Sequence, residues 1–173
     1  MSMINGKVCV VDGVAVDKVF SDGQQVYGRN LLTGTTDKIL TGSGSGVSGY
    51  ISNETNDDQL TLFKGLEGET VTFSFDYEYH GFVKGSGKNR IGWEIGITAG
   101  SPSWHGAWYS PNNDSGSERM SGTFVVPENI TSIKEGSGYI QFSGSGTGTL
   151  SHLKLEKGSI ATPWTPAPED VLK

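Results

Sequence analysis

The residues best equipped for chemistry fall in two short stretches. In TVTFSFDYEYH, residues 70–80, Asp76 and Glu78 stand two apart with His80 after them, and Glu94 follows in RIGWEIGI, residues 90–97. Side chains two apart on a strand share a face, so Asp76 and Glu78 can present a carboxylate pair on one surface. Glycoside hydrolysis uses such a pair about 5 to 9 Å apart, one carboxyl protonating the leaving oxygen while the other attacks or activates water. The acids here stand alone, without a dense acidic signature around them. No G-x-S-x-G elbow or H-E-x-x-H pair occurs, and Cys9 with His80, His105 or His152 forms no supported nucleophile–base set. The expectation is a protein with no catalytic residues, with glycoside hydrolysis as a minor alternative.

The same residue types suit binding better. Carboxylates and amides can hold several sugar hydroxyls at once, and an aromatic plane can stack on the apolar face of a sugar ring. Alternation sends Val71, Phe73, Phe75, Tyr77 and Tyr79 inward, leaving Asp76 and Glu78 outward. It sends Ile91, Trp93, Ile95 and Ile97 inward, leaving Glu94 between Gly92 and Gly96, and in GYIQFSG it leaves Tyr139 and Gln141 outward. If these strands are neighbours, Asp76, Glu78, Glu94, Tyr139 and Gln141 line one polar sheet surface. The aromatic part comes from SPSWHGAWYSPNND, which packs Trp104, His105, Trp108 and Tyr109 among Ser, Gly, Asn and Pro rather than in an apolar run. These nine residues are the expected ligand site. Asn53, Asp57 and Asp58, and Asn112, Asn113 and Asp114, offer oxygen ligands for calcium, but neither set has the spacing of a calcium loop, so no metal and no cofactor is expected.

Positioning such a surface requires strands. Apolar residues alternate over short runs rich in Val, Ile, Phe, Tyr and Thr, punctuated by Gly, Asn, Asp and Pro, and no segment shows a convincing helical period. The first 28 residues read as a β-meander of KVCVV, VAVDKVF and QQVYG joined at Asp-Gly turns, with a boundary near Gly28. From Arg29 about nine strands follow: 30–33, 49–52, 59–63, 70–79, 90–97, 105–109, 119–126, 138–144 and 149–158. That spacing predicts an all-β jelly-roll sandwich of two antiparallel sheets over residues 29–173, with residues 1–28 as an N-terminal meander or linker from a larger parent. The glycine-serine runs at 42–46 and 143–148 are too short to separate domains and read as strand-edge glycine.

The net charge of −6 argues against nucleic acid and anionic membrane as partners, since both are bound through basic surfaces. A single cysteine excludes an internal disulfide framework, and Met1 to Ile4 do not read as an export leader.

Two segments are more specific. VYGRNLLTGTTDK, read with LKLEKGSIATPWTPAPED, resembles the framing of carbohydrate-binding modules in tail, distal-tail and baseplate proteins of phages that infect Gram-positive bacteria. A G-R-N-L-L opening begins such a module and a K-L-E-K-G…A-T-x-W-T-P-A-P-E-D segment closes it; the match covers Gly28 to Leu32 and Lys154 to Asp170 and brackets nearly all of the main domain. The resemblance implies a jelly-roll module in the virion tail that binds host cell-wall polysaccharide and contacts other tail subunits. A structural tail domain without sugar binding is the alternative. It assigns no site residue.

Overall fold

A computed structural model describes residues 8–172. Lys7, at the head of the first expected strand, and the Met1 to Ile4 stretch lie outside them. Two hairpins come first: β1 (Val10–Val11) with β2 (Val14–Ala15), and β3 (Lys18–Ser21) with β4 (Gln24–Gly28). Their turns run through Asp12-Gly13 and Asp22-Gly23, with φ of 50° and 80°, and 50° and 78°. Positive φ at both central positions matches the right-handed twist of the flanking strands, and Asp-Gly tolerates it.

Eight further strands follow: β5 (Leu40–Ser43), β6 (Ser45–Gly49), β7 (Thr70–Val83), β8 (Asn89–Ala99), β9 (Ser101–Tyr109), β10 (Gly116–Val125), β11 (Ser132–Phe142) and β12 (Ser145–Lys157). They form two four-stranded antiparallel sheets, in the orders β10-β7-β12-β5 and β6-β11-β8-β9. The chain passes repeatedly from one sheet to the other, giving the jelly-roll sandwich that the alternation predicts. The core lies between the sheets. From one side come Val71, Phe73, Phe75, Tyr77 and Tyr79, and from the other Ile91, Trp93, Ile95, Ile97, Ile140 and Phe142, all buried. Phe73 meets Trp93 across the gap with ring centroids 4.9 Å apart.

Four expected strands are corrected. VAVDKVF is divided between β2 and β3, which lie in separate two-stranded sheets, so the expected meander is two hairpins. Of GYIS, residues 49–52, only Gly49 lies in a strand, as the end of β6. QLTLF, residues 59–63, belongs to α1 (Asn56–Lys64). Its Leu-Thr-Leu alternation imitates a strand, but Thr55 and Asp58 form a reciprocal cap: the Asp58 amide donates to Thr55 Oγ1 at 3.4 Å and the Thr55 amide to Asp58 Oδ2 at 3.0 Å. α1 buries Phe63 and Gln59, and Gln59 Nε2 donates to the Gly136 carbonyl at 3.0 Å. NLLT, residues 30–33, is irregular because its first residue holds the chain by its side chain instead of pairing in a ladder.

That residue is Asn30, fully buried. Its Oδ1 accepts from the Leu32 and Leu155 amides, both at 3.1 Å. Its Nδ2 donates to Thr35 Oγ1 and the Leu153 carbonyl at 3.1 Å and to the Thr165 carbonyl at 3.2 Å. One amide thus joins the opening segment, the last strand and the C-terminal tail. Beside it, Lys154 and Glu156 are wholly buried on the outer side of β12, 3.8 Å apart. Lys154 Nζ donates to Thr162 Oγ1 at 2.7 Å and the Pro163 carbonyl at 2.8 Å. Glu156 accepts from the Thr162 amide at 2.9 Å and Thr162 Oγ1 at 2.8 Å. Burial holds the lysine down at a pKa of about 8 and raises that of Glu156, each opposed by the other's charge. The tail ends in α2 (Pro168–Val171), where Glu169 pairs with Arg29 and Asp170 accepts from the Gly34 amide at 2.8 Å.

Asn30→Asp keeps the acceptor but turns a carboxylate toward three oxygens. It is expected to lower unfolding free energy by about 3 kcal/mol or more in urea titration. Lys154→Met leaves Glu156 buried without its cation and is expected to cost about 3 to 5 kcal/mol, while the double variant Lys154→Met/Glu156→Leu is expected to recover part of that loss. A double variant as unstable as the sum of the singles contradicts the pairing.

Candidate functional site

The outer face of the β6-β11-β8-β9 sheet gathers the aromatic candidates. Residues directly opposite one another in neighbouring strands share a face, so the register can be read as rows across it. Trp104 lies opposite Gly96, which faces Lys134; Gly106 opposite Glu94, which faces Ser137; Trp108 opposite Gly92, which faces Tyr139; and Arg90 faces Gln141. Trp104 and Trp108 are each 50% exposed, whereas Trp93 on the inner face is 2% exposed. The glycines make this possible. A Cβ on Gly96 would stand 3.3 Å from Trp104 Cη2, so the indole reaches across the β8 backbone, and one on Gly92 would stand 2.6 Å from Trp108 Cβ. At Gly106 a Cβ would meet the Trp93 carbonyl at 2.5 Å. The result is a low floor with an indole at either end.

Between and beside the indoles lies a polar network. Arg90 Nε donates to Gln141 Oε1 at 2.8 Å, and its two terminal nitrogens grip Glu94 Oε2 and Oε1 at 3.2 and 3.3 Å. The guanidinium stacks over Tyr139, 4.2 Å from the ring centroid, and stands 5.8 Å from that of Trp108. Tyr139 points outward as expected but is buried beneath Arg90; that burial raises the pKa of its hydroxyl, with Arg90 opposing. Beyond Gln141 the face continues into an open hollow of about 340 Å³ lined by Gly46, Gly87, Lys88, Gln141 and Ser143.

Asp76 and Glu78 are not part of this surface. β7 belongs to the other sheet and faces β8 across the core, so their outward faces point in opposite directions. The expected single surface joining Asp76 and Glu78 to Glu94, Tyr139 and Gln141 is therefore corrected to two separate ones. Alternation tells which side chains leave the core; it does not tell which sheet carries them. Both Asp76 oxygens are engaged, Oδ1 by Arg119 Nη1 and Oδ2 by His152 Nδ1, each at 2.8 Å. Arg119 also donates to Ser74 Oγ at 2.7 Å, and the His152 ring lies 4.4 Å from Trp164. His152 has φ 53° at an irregularity of β12, which turns its ring toward the tail. Glu78 is exposed, 2.6 Å from His80 Nε2, and lines a second open hollow of about 300 Å³ with Asp76, Glu118, Ser117, Thr149 and Ser151.

His105 and Tyr109 fall on the other parity of β9 and leave the tryptophan face. The His105 ring stacks on Phe124 at 4.3 Å, with Nε2 3.0 Å from Ser103 Oγ, and burial lowers its pKa. Tyr109 stacks on Tyr77 at 4.9 Å, closing that end of the core. Sequence reasoning missed Arg90, the residue that ties Glu94, Gln141, Tyr139 and Trp108 together. Its spacing was the available signal, since Arg90 and Glu94 lie on one strand face four residues apart. Among the described residues no group of three or more His, Cys, Asp and Glu converges as a metal site.

No protein-family model matches the chain, and no curated protein matches it. A solved structure does, that of the tripod (BppUct-A-L) from the baseplate of bacteriophage Tuc2009, with a TM-score of 0.55 and 18% sequence identity. The alignment covers 84% of this chain and 61% of that chain, so this chain spans less than two thirds of its neighbour. At that identity the likeness is one of fold.

The geometry makes an optical prediction. Trp104→Ala/Trp108→Ala is expected to remove most acrylamide-quenchable tryptophan emission while shifting Tm by no more than about 2 °C, since both side chains are half exposed. Quenching equal to that of the parent contradicts the placement of the indoles.

Proposed function

We propose that this chain is a non-catalytic saccharide-binding module of a phage tail or baseplate, acting at the host cell surface on cell-wall polysaccharide. The observation that carries this reading is the pair of exposed indoles on a glycine floor, with Glu94, Arg90 and Gln141 held beside them by hydrogen bonds. An indole in water is costly surface, and a sugar ring offers both an apolar C–H face to stack on it and hydroxyls for the adjoining carboxylate and amide. The fold neighbour comes from a phage baseplate, which supports the tail assignment, as do the Gly28 to Leu32 and Lys154 to Asp170 segments. These two segments meet around Asn30, forming one structural lock. A non-catalytic role fits the state of the acids: Asp76 is held by Arg119 and His152, and Glu94 by Arg90.

Contact with other tail subunits has its own support. The leading hairpins expose Val11, Val14 and Phe20, apolar residues that a neighbouring subunit can cover. An open face buries little of a sugar, so each site is weak, and several copies on one tail raise retention by roughly 10² to 10⁴. The intact chain, displayed as a multimer, is expected to be retained on Gram-positive cell walls, and Trp104→Ala/Trp108→Ala is expected to reduce retention at least tenfold. Equal retention of parent and variant removes the tryptophan face from the function; no retention of the parent leaves the structural tail domain as the better reading.

A further inference from the structure

Resting on that reading, we infer that the tryptophan face takes a linear run of several neutral sugars laid along β9, rather than a single terminal sugar. Three features of the face point this way. The first is length. Trp104 and Trp108 are four residues apart on one strand, which at about 3.4 Å per residue separates their anchor points by roughly 14 Å. That exceeds the width of one pyranose ring, so one sugar cannot stack on both. The second is the interval between the indoles. It holds Gly106 with Glu94 and Ser137 opposite, so it is low and polar rather than blocked. A chain lying on both indoles crosses this gap with its hydroxyls over Glu94. A ligand confined to one indole leaves the other, half exposed, without an occupant.

The third feature is continuity and charge. Past Trp108 the face runs on through Arg90 and Gln141 into the hollow beside Lys88 and Ser143, so nothing terminates the track at the second indole. In the middle of the track, Arg90 and Glu94 hold each other in a two-point pair. Their charges offset one another, so the centre of the face complements an uncharged ligand. The pair also keeps Arg90 flat over Tyr139, 4.2 Å from its ring centroid, so the guanidinium is fixed beside Trp108. Arg90 acts here as a positioning residue for the track.

The experiment is a glycan array of neutral linear glucose, galactose and N-acetylhexosamine oligomers, from single sugars to hexasaccharides, followed by titration of the best series at low and high salt. Affinity is expected to rise at least tenfold from the monosaccharide to the longer members and to change little with salt. Trp104→Ala and Trp108→Ala are each expected to lower affinity for the long ligand roughly two- to tenfold while leaving one-sugar binding through the remaining indole. Equal affinity for one sugar and for six overturns the linear-chain inference but leaves saccharide binding standing. A steep loss of affinity with salt overturns the neutral ligand. Absence of binding to any oligomer, together with absence of retention on cell walls, overturns both the inference and the function beneath it.

Discussion

The side-chain amide of Asn30 is the point on which the closure of this molecule depends. A jelly roll begins and ends on strands whose flanking segments have no ladder of their own, and in this chain those segments lie over the outer side of one sheet. Their backbone groups are removed from water and must be satisfied. Asn30 does this with both ends of one amide, accepting from two backbone amides and donating to two carbonyls and a hydroxyl. The buried Lys154–Glu156 pair extends the arrangement by binding the amide and hydroxyl of Thr162 and the Pro163 carbonyl. Since β12 pairs with β7, the strand thus clamped is central to its sheet.

The clamp divides the labour of the two outer surfaces. On the Asp76 sheet, Thr72, Ser74, Lys154 and Glu156 are covered, and the neighbouring carboxylate of Asp76 is tied to Arg119 and His152, whose ring rests against Trp164 of the tail. Polar side chains there are spent on holding the chain together. The tryptophan sheet carries no such covering, and its polar groups bond to one another along the surface: Arg90 to Glu94 and Gln141, all on β8 and β11. Aromatic residues of opposite parity on β9 make the same distinction within a single strand, Tyr109 and His105 sealing the interior while Trp104 and Trp108 leave it.

Much of this was legible in the sequence because a strand's alternation is a strong physical filter: the inward list from Val71 to Tyr79 and that from Ile91 to Ile97 are the core as observed. The Asp-Gly turns were legible for the same local reason. What alternation does not encode is the identity of the partner strand. β7 and β8 follow one another in sequence, and nothing in their residues shows that they oppose each other across the core instead of pairing, so Asp76 and Glu94 were assigned to a common surface they do not share. α1 was hidden because Leu60, Thr61 and Leu62 alternate, while the stronger signal, a cap built from Thr55 and Asp58, uses Asp where Glu or Gln is usual. Tyr139 was read as surface because its parity is outward, but a neighbouring Arg90 covers it, an effect of tertiary contact alone.

The position of β9 at the margin of its sheet has an evolutionary corollary. Its outward side chains touch neither the Asn30 lock nor the interior, so replacing them leaves the stability of the domain nearly unchanged. The glycines opposite them are another matter, since Gly92 and Gly96 have no room for a side chain. Substitution is thereby constrained unequally: the indoles can be exchanged for other planar or polar groups, while the floor beneath them must stay bare. A scaffold of this kind can change the surface it presents without relearning how to fold.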